Sequence, residues 1–104
     1  MKGTYYDGWN DYDSVKGEYG NSASFPQEED VIYAGYSCEY YEGSAIVVFV
    51  KDGKIYENND GHCSCNGLDI WSPEETDAPT LLMREGWPGL ADAVTRYTLS
   101  PPAQ

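Results

Sequence analysis

The most sharply patterned stretch of the chain is SAIVVFVK, residues 44–51. Its centre is a continuous apolar run of mostly β-branched residues. Such a run suits a strand covered on both faces, where alternation with polar residues is lost. Upstream, residues 31–41 alternate loosely and are rich in β-branched and aromatic side chains, which predicts a strand. Glu42-Gly43 reads as the turn between the two. Downstream, Lys51-Asp52-Gly53-Lys54 is a hairpin signal, because Asp-Gly supplies the two positive-φ residues of a type I′ turn. Residues 54–58 (KIYEN) return as a third strand. Together these segments predict an antiparallel meander.

Asn58-Asn59-Asp60-Gly61 predicts a second turn, and Asn66-Gly67 a third. A helix start follows, and the sequence offers two. Ser72-Pro73-Glu74-Glu75 has a capping Ser, Pro at the first helical position and Glu three residues after the Ser. Pro79 instead favours Asp77 as the N-cap of a short helix through Glu85, with Gly86 just past its end. Leu81, Leu82 and Met83 would then cover the sheet. Trp87-Pro88-Gly89 breaks the chain. Residues 90–97 (LADAVTRY) place Leu90, Ala93, Val94 and Tyr97 on one helical face. Residues 1–30 show no sustained period of 2 or 3.6. The expected fold is α+β: a small antiparallel meander of three or four strands, with one or two short C-terminal helices packed on it. Residues 1–30 form an irregular, acidic, Tyr-rich arm, and residues 31–104 a single α+β domain.

Composition changes the picture of the arm. The chain holds 18 acidic and 6 basic residues, a net charge of −12, with 10 tyrosines and 3 tryptophans among 104 residues. Too few cations are present to neutralise a run of phosphates, which argues against direct nucleic-acid binding and against an anionic membrane surface. The acid either keeps a Tyr-rich domain soluble or meets a partner with a basic groove. The first ten residues contain no apolar signal-peptide core, and no apolar run is long enough to span a membrane. Three cysteines without a secretion signal point to a reducing, cytoplasmic setting.

His62-Cys63-Ser64-Cys65 gathers the one histidine and two of the three cysteines. Zinc takes thiolate and imidazole ligands, and Cys38 could add a fourth. The spacing opposes this, since structural zinc pairs use two to four intervening residues and here there is one. A thiol nucleophile is the second reading, but a catalytic Cys rarely pairs with the His beside it in sequence. The third is a turn in which the cysteines are small buried hydrophobes. No phosphate-binding or dinucleotide-binding glycine motif is present, and an enzyme is not expected.

Within residues 41–76, several strings stand in order: the Lys51–Lys54 hairpin, Tyr56-Glu57, His-Cys-Ser-Cys at 62–65, Gly67, and Trp71-x-Pro73-Glu74-Glu75-Thr76. This stretch resembles small uncharacterised proteins of bacteriophages and prophages. The resemblance covers about a third of the chain and implies a phage-type accessory protein acting in a bacterial cytoplasm. It implies no assigned activity or site. Such proteins often bind and block a host protein. The leading expectation is therefore a non-enzymatic inhibitor that mimics nucleic acid in the basic channel of a CRISPR-type nuclease, a restriction enzyme or the transcription machinery. Its contact residues would be Asp7, Asp11, Asp13, Glu18, Glu28, Glu29 and Asp30, with Tyr5, Tyr6, Trp9 and Tyr12 as anchors. The alternative is a small zinc module on His62, Cys63, Cys65 and Cys38; the inhibitor reading needs no cofactor.

Overall fold

A computed structural model describes residues 3–22, 24–39, 42–62 and 70–99. The described elements are β1 (Thr4–Asp7), α1 (Tyr12–Tyr19), β2 (Val31–Glu39), β3 (Glu42–Lys51), β4 (Lys54–His62), β5 (Glu74–Thr76), α2 (Ala78–Leu82) and α3 (Leu90–Leu99). A 3-10 turn at Glu28–Asp30 precedes β2. The strands form one sheet in sequence order, with β1 parallel to β2 and every other pair antiparallel. The fold is α+β, as the sequence predicts.

β3 sits at the centre, and its side chains divide between two cores by simple alternation. Ala45, Val47 and Phe49 face Trp9, Val15 and Tyr19 of the N-terminal segment. Ile46, Val48 and Val50 face Leu81 of α2 and Leu90, Ala93 and Val94 of α3. The central strand is thus covered on both sides, as its unbroken apolar run requires. β2 carries a bulge: the register shifts between Val31 and Tyr33. Ile32 and Tyr33 consequently both join the core under α2 and α3, where strict alternation would have sent one of them away.

Turn chemistry holds where the sequence is explicit. Asp52 and Gly53 have φ of 54° and 78°, both left-handed, and Lys51 pairs with Lys54. Asp77 caps α2, its carboxylate accepting from Thr80 N at 2.9 Å. The alternative start at Ser72 does not form, because Glu74–Thr76 pairs with β4 as β5. Leu81 is buried, whereas Leu82 and Met83 are 47% and 82% exposed and do not cover the sheet.

Three further expectations are corrected. Residues 1–30 are not an irregular arm: β1 adds to the sheet, and α1 buries Val15 and Tyr19, one turn apart. The helix is capped by Asp11, which accepts from Ser14 N at 2.9 Å. Glu42-Gly43 is part of β3, opposite Glu39 and Cys38. Asn58-Asn59-Asp60-Gly61 is no turn either; β4 runs on to His62, paired with β3 down to Gly43. The predicted turn at Asn66-Gly67 lies outside the described residues.

The polar residues of β4 tolerate burial because each is bonded. Asn58 is 1% exposed; it donates to Ile70 O at 3.0 Å and accepts from Ser72 N at 2.6 Å. Glu57 accepts from Arg84 and from Asn59, both at 2.8 Å. Burial pushes its carboxyl up. Hydrogen bonds from Arg84, Asn59 and Thr76, with the Arg84 charge, outweigh that and hold it below the usual carboxylate range. Both sheet edges are short and acidic. β1 ends in exposed Asp7 at φ 57°, and β5 offers exposed Glu74 and Glu75.

The two-sided core makes a direct prediction. Phe49→Ala should cost about 3–4 kcal/mol by emptying the site between Tyr56 and Trp71. Met83→Ala should change stability by less than about 0.5 kcal/mol. Urea unfolding midpoints of the two variants check both.

Candidate functional site

α1 and the 3-10 turn bring five carboxylates to one end of the molecule. Asp11 receives both the backbone N–H and the hydroxyl of Ser14, each at 2.9 Å. The backbone and hydroxyl bonds hold its carboxyl below the usual range. Asp13 follows in the first helical turn, where the helix dipole favours negative charge. Tyr12 then reaches across: its hydroxyl donates to Pro26 O at 2.7 Å. That bond ties α1 to the segment leading into Glu28, Glu29 and Asp30.

Two tyrosine hydroxyls lie within this charge. Tyr5, from β1, has a buried hydroxyl with no hydrogen-bond partner among the described residues. Burial, then Glu28, Tyr12 and Asp11, push its pKa up to about 12. Burial, then Glu28, Glu29, Asp13 and Asp30, raise that of Tyr12. Asp30 is itself raised, by burial and then by Glu29. The charged neighbours that raise these groups are carboxylates. The end is therefore a concentrated anionic surface over a neutral aromatic base.

The other expected contact residues are dispersed. Asp7 closes β1, and Glu18 lies near the end of α1, where it acts on Tyr36. Tyr36 is raised by burial, then by Cys38 through charge and hydrogen bonding, then by Glu18. Trp9 is 3% exposed, packed between Tyr19 and Tyr36 at ring separations of 5.9 and 5.6 Å. It cannot be a partner anchor, which corrects the expectation from sequence. Its neighbours continue as a layer: Tyr19 and Phe25 pack on Trp71, and Trp71 stacks on Phe49. Much of the aromatic excess is a core between α1 and the sheet. Tyr6 stands apart, edge-on to Trp87 on the opposite face.

The sulfur-bearing stretch is partly placed. Cys38 is exposed on β2. Its partner across the sheet is Gly43, and the partner of Gly43 on β4 is His62. Cys38 and His62 therefore occupy one cross-strand row with a glycine between them. Cys63 and Cys65 lie outside the described residues. Among the described residues, no group of three or more His, Cys, Asp or Glu side chains could hold a metal ion. The chain on either side of 63–69 is held by Asp60. Its carboxylate accepts from Gly61 N at 2.7 Å, from Ile70 N at 3.0 Å and from the Tyr19 hydroxyl at 2.7 Å.

Asp60, Asn58 and Trp87 were not singled out by sequence reasoning. The available signal was the run Asn58-Asn59-Asp60 inside a strand period, where polar residues on the buried face must be bonding something.

No helix among the described residues is long and apolar enough to cross a membrane. No family model, no curated protein and no solved structure matches the chain.

The environments of Tyr5 and Tyr33 give opposite predictions for the same change. Tyr33 donates to Pro88 O at 2.7 Å, so Tyr33→Phe should cost about 1 kcal/mol. Tyr5→Phe removes an unpartnered buried hydroxyl and should leave stability unchanged or raise it by up to about 1 kcal/mol. Burial also pushes Tyr33 up to about 12. Both groups start from 10.0, so unfolded chains ionise first. Stability is complete below that pH and lost as pH rises through about 12. Thermal melts between neutral and strongly alkaline pH, beside a spectrophotometric tyrosinate titration, test both points.

Proposed function

We propose that this chain is a small, non-enzymatic accessory protein of the phage type. It binds and inhibits a bacterial nucleic-acid-binding protein by presenting its acidic end to the partner's basic channel. The observation that carries this reading is the gathering of Asp11, Asp13, Glu28, Glu29 and Asp30 around the Tyr5 and Tyr12 hydroxyls. Five of the seven acids singled out from sequence meet at this end. The ion pairs among the described residues, Lys54 with Glu75 and Arg84 with Glu57, lie elsewhere. Carboxylates fixed on a capped helix and a 3-10 turn can take the place of phosphates against Lys and Arg.

The test is displacement. The native chain should release a fluorescent DNA duplex from the DNA-binding proteins of a bacterial lysate, first collected on heparin. Asp11→Lys, Asp13→Lys, Glu28→Lys and Glu29→Lys combined should weaken displacement at least about tenfold at low salt, with the difference shrinking at high salt. Equal displacement by the reversed variant would refute the reading.

A second reading, a zinc module, has one observation in its favour: the cross-strand row that joins Cys38 to His62 through Gly43. It expects close to one equivalent of zinc in untagged protein, lost in Cys38→Ser. Less than about a tenth of an equivalent, with all thiols freely titratable, removes it.

A further inference from the structure

The segment that leads from α1 into β2 encloses a cavity against the end of β3. The cavity measures about 190 Å³, and its walls include Ser24, Phe25, Pro26, Asp30, Phe49 and Lys51. Those walls are held from outside. Ser24 Oγ accepts from Trp71 Nε1 at 2.8 Å, and Pro26 O accepts from the Tyr12 hydroxyl at 2.7 Å. The Phe25 ring packs on Tyr12 and on Trp71, at centroid separations of 5.7 and 5.3 Å. Phe49 stacks on Tyr56 and on Trp71. The space is thus built before any ligand arrives, which lowers the cost of filling it.

Two charges of opposite sign line this cavity, and they do not pair with each other. The ion pairs among the described residues are Lys54 with Glu75 and Arg84 with Glu57. Half-buried Asp30 and exposed Lys51 therefore border the cavity without a counter-ion among those residues. Burial and Glu29 both work against the charge on Asp30, and a carboxylate that has lost water gains most from a cation brought to it. We infer that the cavity binds a free α-amino acid with an apolar side chain. Its ammonium meets Asp30, its carboxylate meets Lys51, and its side chain lies against Phe25, Pro26 and Phe49. One molecule of this class supplies both missing charges and an apolar body. Size favours a single residue over a peptide, since drug-sized ligands occupy roughly 300–1,000 Å³. The inference goes beyond the proposed inhibitor role and does not depend on a basic partner.

The experiment titrates the full, ¹⁵N-labelled chain with L-phenylalanine, with phenylalaninamide, which keeps only the cation, and with N-acetylphenylalanine, which keeps only the anion. The backbone N–H signals of Phe25, Asp30 and Lys51 should move saturably with phenylalanine, and each single-charge analogue should bind about threefold or more weakly. Asp30→Asn should abolish the preference for phenylalanine over the N-acetyl form, and Lys51→Met the preference over the amide. Lys54→Met, which removes the neighbouring hairpin cation paired with Glu75, should change neither. No saturable shift, equal binding of the three ligands, or an equal effect of Lys54→Met would overturn the inference. The three ligands on the native chain decide the point even if a variant folds poorly, and DNA displacement is read separately, so either proposal can fall alone.

Discussion

Everything in this fold follows from β3 being buried on both faces. A ten-residue strand with Ala45, Val47 and Phe49 on one side and Ile46, Val48 and Val50 on the other needs two separate covers. α2 and α3 supply one of them. The N-terminal segment supplies most of the other, joined there by Trp71 on Phe49. That requirement pulls Trp9, Val15 and Tyr19 against the sheet and leaves β1 beside β2. The aromatic richness then has a plain cause. A thin helix with few aliphatic residues fills its side of the core with rings, and the ring hydroxyls of Tyr12 and Tyr19 find Pro26 O and Asp60 at the margin.

The same arrangement separates charge from core. With Val15 and Tyr19 turned inward, the acids of α1 are left on the outside, and Tyr12 fastens the helix to the equally acidic 3-10 turn. The anionic end is thus a by-product of how the second cover is built, held by the same bonds that hold the cover. Asp60 extends this coupling. One carboxylate joins α1 through Tyr19, β4 through Gly61 and the returning chain through Ile70.

The meander was legible because its signals are local. An unbroken apolar run, an Asp-Gly pair and an Asp cap before Pro79 each force a conformation over a few residues. The N-terminal elements were not. β1 is four residues long, and α1 carries only Val15 as an aliphatic anchor, with Gly17 in its middle. Their stability is tertiary, drawn from packing on a sheet that appears later in the sequence. The acids of the candidate site were legible as a composition, and their convergence was not, since it depends on Tyr12 reaching Pro26. Asn58 and Asp60 misled the reading in the other direction. They look like turn residues, yet here their side chains bond the return segment while their backbone stays in the ladder.

The acidic sheet edges have a consequence for how the protein behaves in concentrated solution. An open strand is a template for another copy of itself, and here each template carries its own repulsion: Asp7 at one end of the sheet, Glu74 and Glu75 at the other. Two molecules approaching edge to edge meet like charges before any backbone pair can form. That protection is ionic and so conditional. At high salt, where these charges are screened, the edges become ordinary open strands. Colloidal stability and folding stability then part company, and the molecule can stick to its own kind while still fully folded.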